Sequence, residues 1–158
     1  MHPVGRELPV TIEQTLALLE ADAPRHMTAE PATELELDRL EEALGRRLPE
    51  EFRTFLAHLG GGILYERHEV FGARRLVIHD IELVPDLVSF RHRLVDSGGQ
   101  ALTDDLVPFH RADGVVHLLD LRRNGKARVV SGDGKRSYPD LACFLEQVVL
   151  AGDPSASA

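Results

Sequence analysis

The first sixty residues contain apolar side chains that recur every three or four positions, the spacing of one helix face. The run over residues 12–19 follows a capping box formed by Thr11 and Gln14. The run over residues 37–44 follows a second box of this type, and Gly45 stands where a glycine commonly ends a helix. The pattern therefore predicts two amphipathic helices.

A third helix is predicted from Pro49 onward. Proline suits the first helical position because its missing N–H is not needed there, and the two glutamates that follow complement the helix dipole. The apolar spacing over residues 52–59 indicates a buried face, and the glycines at 60–62 indicate the helix end. Residues 22–31, which include two prolines, are predicted to be a loop between the first two helices.

The middle of the chain changes to short runs of strand type bounded by turn residues. The predicted strands are residues 63–65, 69–71, 76–79, 106–110, 115–121 and 126–131. The Asn-Gly pair at residues 124–125 is the strongest hairpin signal in the chain. Pro85 is predicted to open a helix that ends at residues 97–99, and Pro139 to open the last helix.

Helices near both ends with antiparallel strands between them predict an α+β fold, because strands and helices do not alternate regularly. We expect a mostly antiparallel sheet from residues 63–131 to pack against N-terminal and C-terminal helices near residues 12–20, 35–44, 49–59 and 139–150. Residues 1–152 are predicted to form one domain and residues 153–158 a flexible tail. The expected core comprises Leu40, Leu44, Leu48, Phe52, Phe55, Leu56, Leu118, Val129, Phe144 and Leu145.

Length and composition indicate a protein that folds without cross-links. A chain of 158 residues can bury a sizeable core, and the single Cys143 cannot form an internal disulfide, which favours a reducing compartment. No run approaches the roughly 18 apolar residues of a membrane span, and the N-terminus lacks a signal-peptide pattern. We therefore expect a cytoplasmic protein without membrane contact.

The charge balance argues against direct binding of nucleic acid. Lys and Arg number 18 and Asp and Glu number 26, a formal net charge of −8. Nucleic-acid binders normally present a basic face, because phosphate neutralisation supplies most of their affinity. Basic residues occur here only in short doublets, and aromatic residues make up 5% of the chain, which leaves few surfaces for base stacking.

The sequence gives no pattern of a metal, cofactor or catalytic site. No two of the eight histidines lie three or four positions apart on a predicted helix, the spacing that places two ligands on one face. Cys143 is interpreted as a small, half-buried apolar residue, and adjacent Asp104 and Asp105 as a solvated turn. Asp120, at a strand end, is interpreted as an acceptor for backbone N–H groups of the following turn, with a partner contact as the alternative.

One stretch of the chain carries a recognisable motif. Residues 40–52 read as a helix that ends in Glu-x-x-Leu-Gly and is followed by x-x-Leu-Pro-x-x-Phe. The matching positions are Glu41, Leu44, Gly45, Leu48, Pro49 and Phe52, with Phe55, Leu56 and the glycines at 60–62 after them. Pro108-Phe109, Leu119-Asp120-Leu121 and residues 137–145 look like later elements of the same pattern. Over nearly the whole chain, the sequence resembles the SMI1/KNR4 family, or SUKH superfamily.

This resemblance implies a protein-binding domain and no enzyme, since the family has no shared catalytic site. Its bacterial members are mostly immunity proteins that bind and neutralise polymorphic toxins, contact-dependent or secreted, many of them nucleases or deaminases. Its fungal members are interaction proteins in cell-wall signalling. The resemblance therefore predicts an immunity protein with a toxin domain as its partner, and a regulatory or scaffolding module without a toxin partner is the alternative.

The candidate partner contacts are loop acids. A toxin that acts on nucleic acid presents a basic groove, and carboxylates offered to that groove raise the association rate. The acids placed on predicted loops and strand ends are Glu66, Glu69, Asp104, Asp105 and Asp113. The alternative is that these acids only keep the protein soluble.

Overall fold

The computed structural model describes residues 10–96, 103, 105–122 and 127–151. The helices are α1 (Ile12–Ala21), α2 (Glu34–Leu44), α3 (Glu50–Leu59), α4 (Leu87–Asp96) and α5 (Leu141–Phe144), the last continued by a π-helical segment, Leu145–Leu150. The strands are β1 (His26–Thr28), β2 (Gly62–Leu64), β3 (His68–Val70), β4 (Leu76–Ile78), β5 (Ile81–Val84), β6 (Leu106–Ala112), β7 (Val115–Asp120), β8 (Arg128–Ser131) and β9 (Ser137–Tyr138).

Local capping hydrogen bonds fix the first two helices where the sequence predicts them. The Thr11 hydroxyl accepts from the Gln14 amide at 3.1 Å, and the Gln14 side chain accepts from the Thr11 amide at 2.9 Å. Thr33 and Glu36 repeat this arrangement at the start of α2. Gly45 then ends α2 in the left-handed conformation, with φ 71°. Both predicted capping boxes are confirmed.

Three predicted helix starts are wrong by one or two residues. Pro49 has an extended ψ of 145° and is the cap of α3, so the first helical residue is Glu50. In the other two cases an aspartate follows the proline and its carboxylate caps the helix. Asp86 accepts from the backbone of residue 89 at 2.8 Å, and Asp140 accepts from Cys143 at 2.8 Å.

The main sheet has seven antiparallel strands in the order β1-β2-β3-β6-β7-β8-β9, and β4 and β5 form a separate hairpin. The α+β prediction is therefore confirmed. Part of the predicted loop at residues 22–31 is β1, because Met27 pairs with Ile63 of β2. The prediction also missed β5 and β9, which have four and two residues. The predicted turns at residues 97–99 and 124–125, and the tail at 153–158, lie outside the described residues.

The core combines one face of the main sheet with buried side chains from all five helices. Nine of the ten predicted core residues are buried, and Leu44 is half-buried at its edge. Leu118 is buried but lies outside the main core. Side chains alternate along a strand, so Leu119 is the β7 residue that packs in the core and Leu118 lies on the opposite face.

A bulge in β6 increases the number of side chains on the core face. The register with β7 shifts between Pro108 and His110, so neighbouring residues Phe109 and His110 both contact the Phe144 ring, at centroid distances of 5.4 and 5.0 Å. A bulge places adjacent side chains on one face, which regular alternation does not. This brings His110 onto the core face, beside the apolar ring of Phe144.

None of the helices in the described part of the chain combines the length and the apolar character that a membrane span needs.

Candidate functional site

The acids predicted to contact a partner lie at two separate places. Glu66 is on the turn between β2 and β3, Glu69 is in β3, and Asp113 is on the turn between β6 and β7. Asp105 precedes β6, at the opposite end of that seven-residue strand. Asp104 lies outside the described residues. The structure therefore brings three of the five acids to one end of the sheet and places a fourth at the other end.

Two of the three acids at that end form ion pairs with arginine. Glu69 accepts from Arg111 Nε at 2.6 Å, and these residues are cross-strand partners. Asp113 accepts from Arg67 Nε at 2.8 Å and from its Nη2 at 2.5 Å. Glu66 is exposed on the same turn as Arg67, with φ 58°. These five residues form what we call the hairpin-end surface.

Asp105 is also paired. Its carboxylate accepts from Arg46 Nη1 at 2.5 Å, and the same guanidinium donates to the backbone carbonyl of Leu121 at 3.0 Å. Arg46 thus joins the loop after α2 to the start of β6 and the end of β7, which lie side by side at one end of that strand pair. Asp105 contributes to the packing of the fold, and its charge is already balanced there.

Sequence reasoning missed the most unusual polar group of the core, a chain of three buried histidines. His68 Nδ1 lies 2.9 Å from His110 Nε2, and His110 Nδ1 lies 3.1 Å from His117 Nδ1. The exposed fractions of the three residues are 1%, 0% and 7%. We call them the histidine chain.

The histidine chain depends on strand register and not on spacing along one element. His110 and His117 are direct cross-strand partners, because both are placed symmetrically about the β6–β7 turn. The predicted strands and turn already place these two histidines opposite each other. Ligand spacing along a helix does not detect a pair that forms across two strands. The position of His68 could not be inferred in this way, because β3 pairs with β6 across a long segment of chain.

Aromatic rings surround the histidine chain. The Phe144 ring lies 5.0 Å from the His110 ring and 4.8 Å from the His117 ring, and Tyr138 packs on Phe144 at 5.3 Å. Burial in these surroundings lowers the pKa of His110 well below its ordinary value, and positive charge on His68 or His117 would lower it further. Burial also lowers the pKa of His117, although nearby Asp133 opposes that shift.

Neutral imidazoles can form this chain in two ways. A neutral ring carries one N–H, so His110 donates to one neighbour and accepts from the other. In one arrangement, His117 donates to His110 and His110 donates to His68. In the other, His68 donates to His110 and His110 donates to His117. In either arrangement, neutral imidazoles form a continuous hydrogen-bond network within the core.

The histidine chain does not have the arrangement of a metal centre. His110 presents a different nitrogen to each neighbour, so the three rings do not converge on one point. Within the described ranges, no group of three or more histidine, cysteine, aspartate or glutamate side chains has the geometry to hold a metal ion.

An open cleft of about 540 Å³ lies over the histidine chain. Its walls include Ser131 and Tyr138, and its rim carries charged residues. The rim residues are Arg67, Asp113, Asp133, Lys135 and Arg136. Because Arg67 and Asp113 also belong to the hairpin-end surface, the cleft and that surface are continuous.

Asp120 has the structural role that its position predicts. It is 3% exposed and accepts from the Arg122 backbone amide at 3.1 Å. The same carboxylate accepts from Arg122 Nε at 2.9 Å and Nη2 at 2.8 Å, and from Arg128 Nη2 at 3.2 Å. These hydrogen bonds, chiefly those from Arg122, hold the pKa of Asp120 well below its usual value.

Cys143 is half-buried, as predicted. Burial raises the pKa of its thiol, and the negative charges of Asp140 and Glu146 add to that effect. Its sulfur accepts from Gln147 at 3.0 Å. The thiol therefore stays protonated near neutral pH, which is the opposite of what a nucleophilic cysteine needs.

Comparisons with known proteins give one family and one fold. The model of the SMI1 / KNR4 family (SUKH-1) matches residues 31–147. A crystal structure of a protein from Pseudomonas syringae pv. tomato is similar with a TM-score of 0.64, covering 86% of this chain and 96% of that one at 16% sequence identity. At that identity the likeness shows the fold alone. The comparison with curated proteins gave no match.

Proposed function

The chain belongs to the SMI1/KNR4 (SUKH-1) family, and from this premise we propose that it is an immunity protein that binds and neutralises a bacterial toxin domain. Family membership supports a protein-interaction or immunity-type role. The observation that carries the proposal is the extent of the match, which runs from the residues before α2 into the last helix. An immunity protein acts where the toxin would act, so the cytoplasm is its proposed location.

The proposed mechanism is occlusion and involves no catalysis. The protonated Cys143 supports this, because a neutral thiol offers no nucleophile to a substrate. An inhibitor of this kind covers the toxin's substrate groove and prevents access to it. Tight binding and fast association are then the properties that matter.

We propose that the hairpin-end surface contacts the toxin. A nuclease toxin holds phosphate with basic residues, and the acids of this surface would bind to those residues. Glu66 is the acid best placed to do so, because none of the described residues forms an ion pair with it. Glu69 and Asp113 would first exchange their arginines for cations of the toxin. The exposed Arg67–Asp113 pair is worth only about 0–1 kcal/mol, so its exchange is feasible.

A regulatory or scaffolding role is the second candidate, and one observation favours it. The β4–β5 hairpin exposes Val77, Ile81 and Leu83, and Ile81 is 62% exposed. Exposed apolar side chains clustered on one element are typical of contacts with a protein partner. If the gene before this one encodes no toxin, this alternative is favoured.

The test is protection of cells from the toxin encoded directly upstream. The toxin's C-terminal domain is expressed with and without this protein, and growth and complex formation are measured. We expect growth to be restored and a stable complex to form. Full toxicity together with the absence of a complex would refute the immunity function.

The contact surface is tested with matched charge reversals. Glu66→Lys should slow association with the toxin domain several-fold and reduce its salt dependence, because charges at an interface rim act mainly on the on-rate. Glu42→Lys, an equal change on the exposed face of α2, is the control and should have no effect. Equal on-rates for the two variants would show that the acids are not contacts.

A further inference from the structure

A second concave surface lies on the face of the sheet opposite the core. Cross-strand register places Leu118 beside Val130 on this face, and Leu106 beside Asp120. A groove of about 590 Å³ runs over these strands, and Leu106, Leu118 and Val130 form its apolar floor. We call it the outer groove.

The rim of the outer groove is basic, although the protein as a whole is acidic. It carries Arg122, Arg128, Lys135 and Arg136, in a chain whose formal net charge is −8. Asp120 lies beneath the two arginines and is the carboxylate bonded to both of them. Two guanidinium groups therefore share one buried negative charge.

The other acids near the rim are already engaged. Asp133 accepts from the Ser131 hydroxyl at 2.6 Å and from the Lys135 backbone amide at 2.9 Å. Asp105, which lies near Arg122, is bonded to Arg46. The side chains of Lys135 and Arg136 remain exposed at the turn between β8 and β9.

Arg128 has donor capacity to spare. It donates to Asp120 through Nη2 at 3.2 Å, and its Nε atom is buried without a hydrogen-bond partner among the described residues. A buried donor without a partner costs free energy. The Arg128 side chain as a whole is 37% exposed, and a carboxylate is the acceptor whose geometry fits a guanidinium best.

We propose that the outer groove binds an acidic segment of a protein partner, with Asp or Glu side chains at the basic rim and apolar side chains on the floor. The positive rim selects a negatively charged partner. The floor selects a protein segment over a nucleic-acid backbone, because three apolar side chains offer nothing to phosphate. The proposal rests on the proposed function only in taking the partner to be a protein, and it concerns a different surface.

The first test uses a defined probe, a short fluorescein-labelled peptide in which glutamate and leucine alternate. Its binding is measured by fluorescence anisotropy at low salt. Lys135→Glu/Arg136→Glu should weaken binding at least about tenfold, since two favourable charges become repulsive. The control Arg39→Glu/Arg47→Glu makes the same change in net charge at exposed positions around α2 and should bind like the unmodified protein.

The floor and the partner class are tested separately. Val130→Thr keeps the charge and shape but adds a hydroxyl, and it should weaken peptide binding. Single-stranded DNA of matched charge should bind less tightly than the peptide. The proposal is overturned if the two double reversals lose peptide affinity equally, or if Val130→Thr binds the peptide as tightly as the unmodified protein. It is also overturned if DNA binds more tightly than the peptide, or if the peptide does not bind. Unchanged melting temperatures confirm that the variants are folded.

A second test separates this proposal from the immunity function. The upstream toxin domain is titrated with the unmodified protein and with Lys135→Glu/Arg136→Glu. Weaker toxin binding by the variant supports the outer groove as the contact. Equal binding overturns the groove proposal for that partner and leaves the immunity function standing. Peptide binding without toxin binding supports the groove and refutes the immunity function.

Discussion

Mild acid should destabilise this protein through the histidine chain. Burial holds the pKa of His110 below its ordinary value in the folded state, whereas the unfolded chain takes up a proton at the ordinary value. The unfolded state therefore binds more protons, and stability falls as the pH drops below about 6.5, the ordinary histidine value. The fall continues until the lowered pKa of the folded protein is reached. His117 acts in the same direction, since burial lowers its pKa as well.

The size of the effect follows from proton linkage. If His110 stays neutral in the folded protein over the whole interval, proton uptake by the unfolded chain at a pKa of about 6.5 lowers the free energy of unfolding between about pH 7 and about pH 5 by about 2 kcal/mol, which is the upper bound for one histidine. For a chain of this size, that corresponds to a fall in melting temperature of about 4–8 °C. The shift is large against the roughly 5–15 kcal/mol that stabilises a typical domain.

Urea unfolding at the two pH values measures this change. The variant His110→Gln removes the titrating ring but keeps a side chain that can donate and accept. We expect it to be less stable near neutral pH, because it loses the contact with Phe144. Its loss between about pH 7 and about pH 5 should be about 2 kcal/mol smaller than that of the unmodified protein.

The control is His92→Gln, which changes an exposed histidine on α4. It should keep the full pH dependence of the unmodified protein. Carboxylates do not confuse the comparison, because the lowered pKa of Asp120 affects stability only at more acidic pH. If His110→Gln and His92→Gln lose the same free energy of unfolding between the two pH values, the histidine chain is not the source of the acid sensitivity.

Two further predictions concern packing and backbone geometry. Phe52→Ala should lower the free energy of unfolding by about 3–5 kcal/mol in denaturant, because Phe52 is fully buried against Phe109. Leu35→Ala, on an exposed face, should lower it little. Equal denaturation midpoints for the two variants would contradict the assigned core. Gly60→Ala should lower the melting temperature more than Gly45→Ala. Both glycines have positive φ, but a Cβ at Gly60 would overlap the carbonyl oxygens of residues 29 and 30, and a Cβ at Gly45 would meet nothing. Equal falls in melting temperature would contradict this explanation.

The elements that the sequence predicts best are those whose stabilising contacts are local. Thr33 and Glu36 form both hydrogen bonds of their capping box within three residues, so the sequence contains the whole interaction. The observed starts of α4 and α5 differ from the predicted ones for an equally local reason, because the aspartate after each proline caps the helix. In these cases the sequence held the signal and its interpretation was wrong.

The features that could not be predicted depend on pairing between distant segments. β1 is a strand because Met27 lies beside Ile63, and three residues alone carry no alternation to recognise. The sequence shows the predicted acids, but the arginine partners of Glu69 and Asp113 lie more than forty positions away along the chain. Their neutralisation by arginine becomes visible only once the strands are in register.

The β8–β9 turn connects the two concave surfaces of the molecule. Ser131, Lys135 and Arg136 line both the cleft over the histidine chain and the outer groove on the opposite face. A partner in the outer groove would therefore lie close to the part of the sheet that acid destabilises. Binding experiments belong above the histidine range, at about pH 7 or higher, where the predicted acid destabilisation of the sheet does not contribute to a loss of affinity.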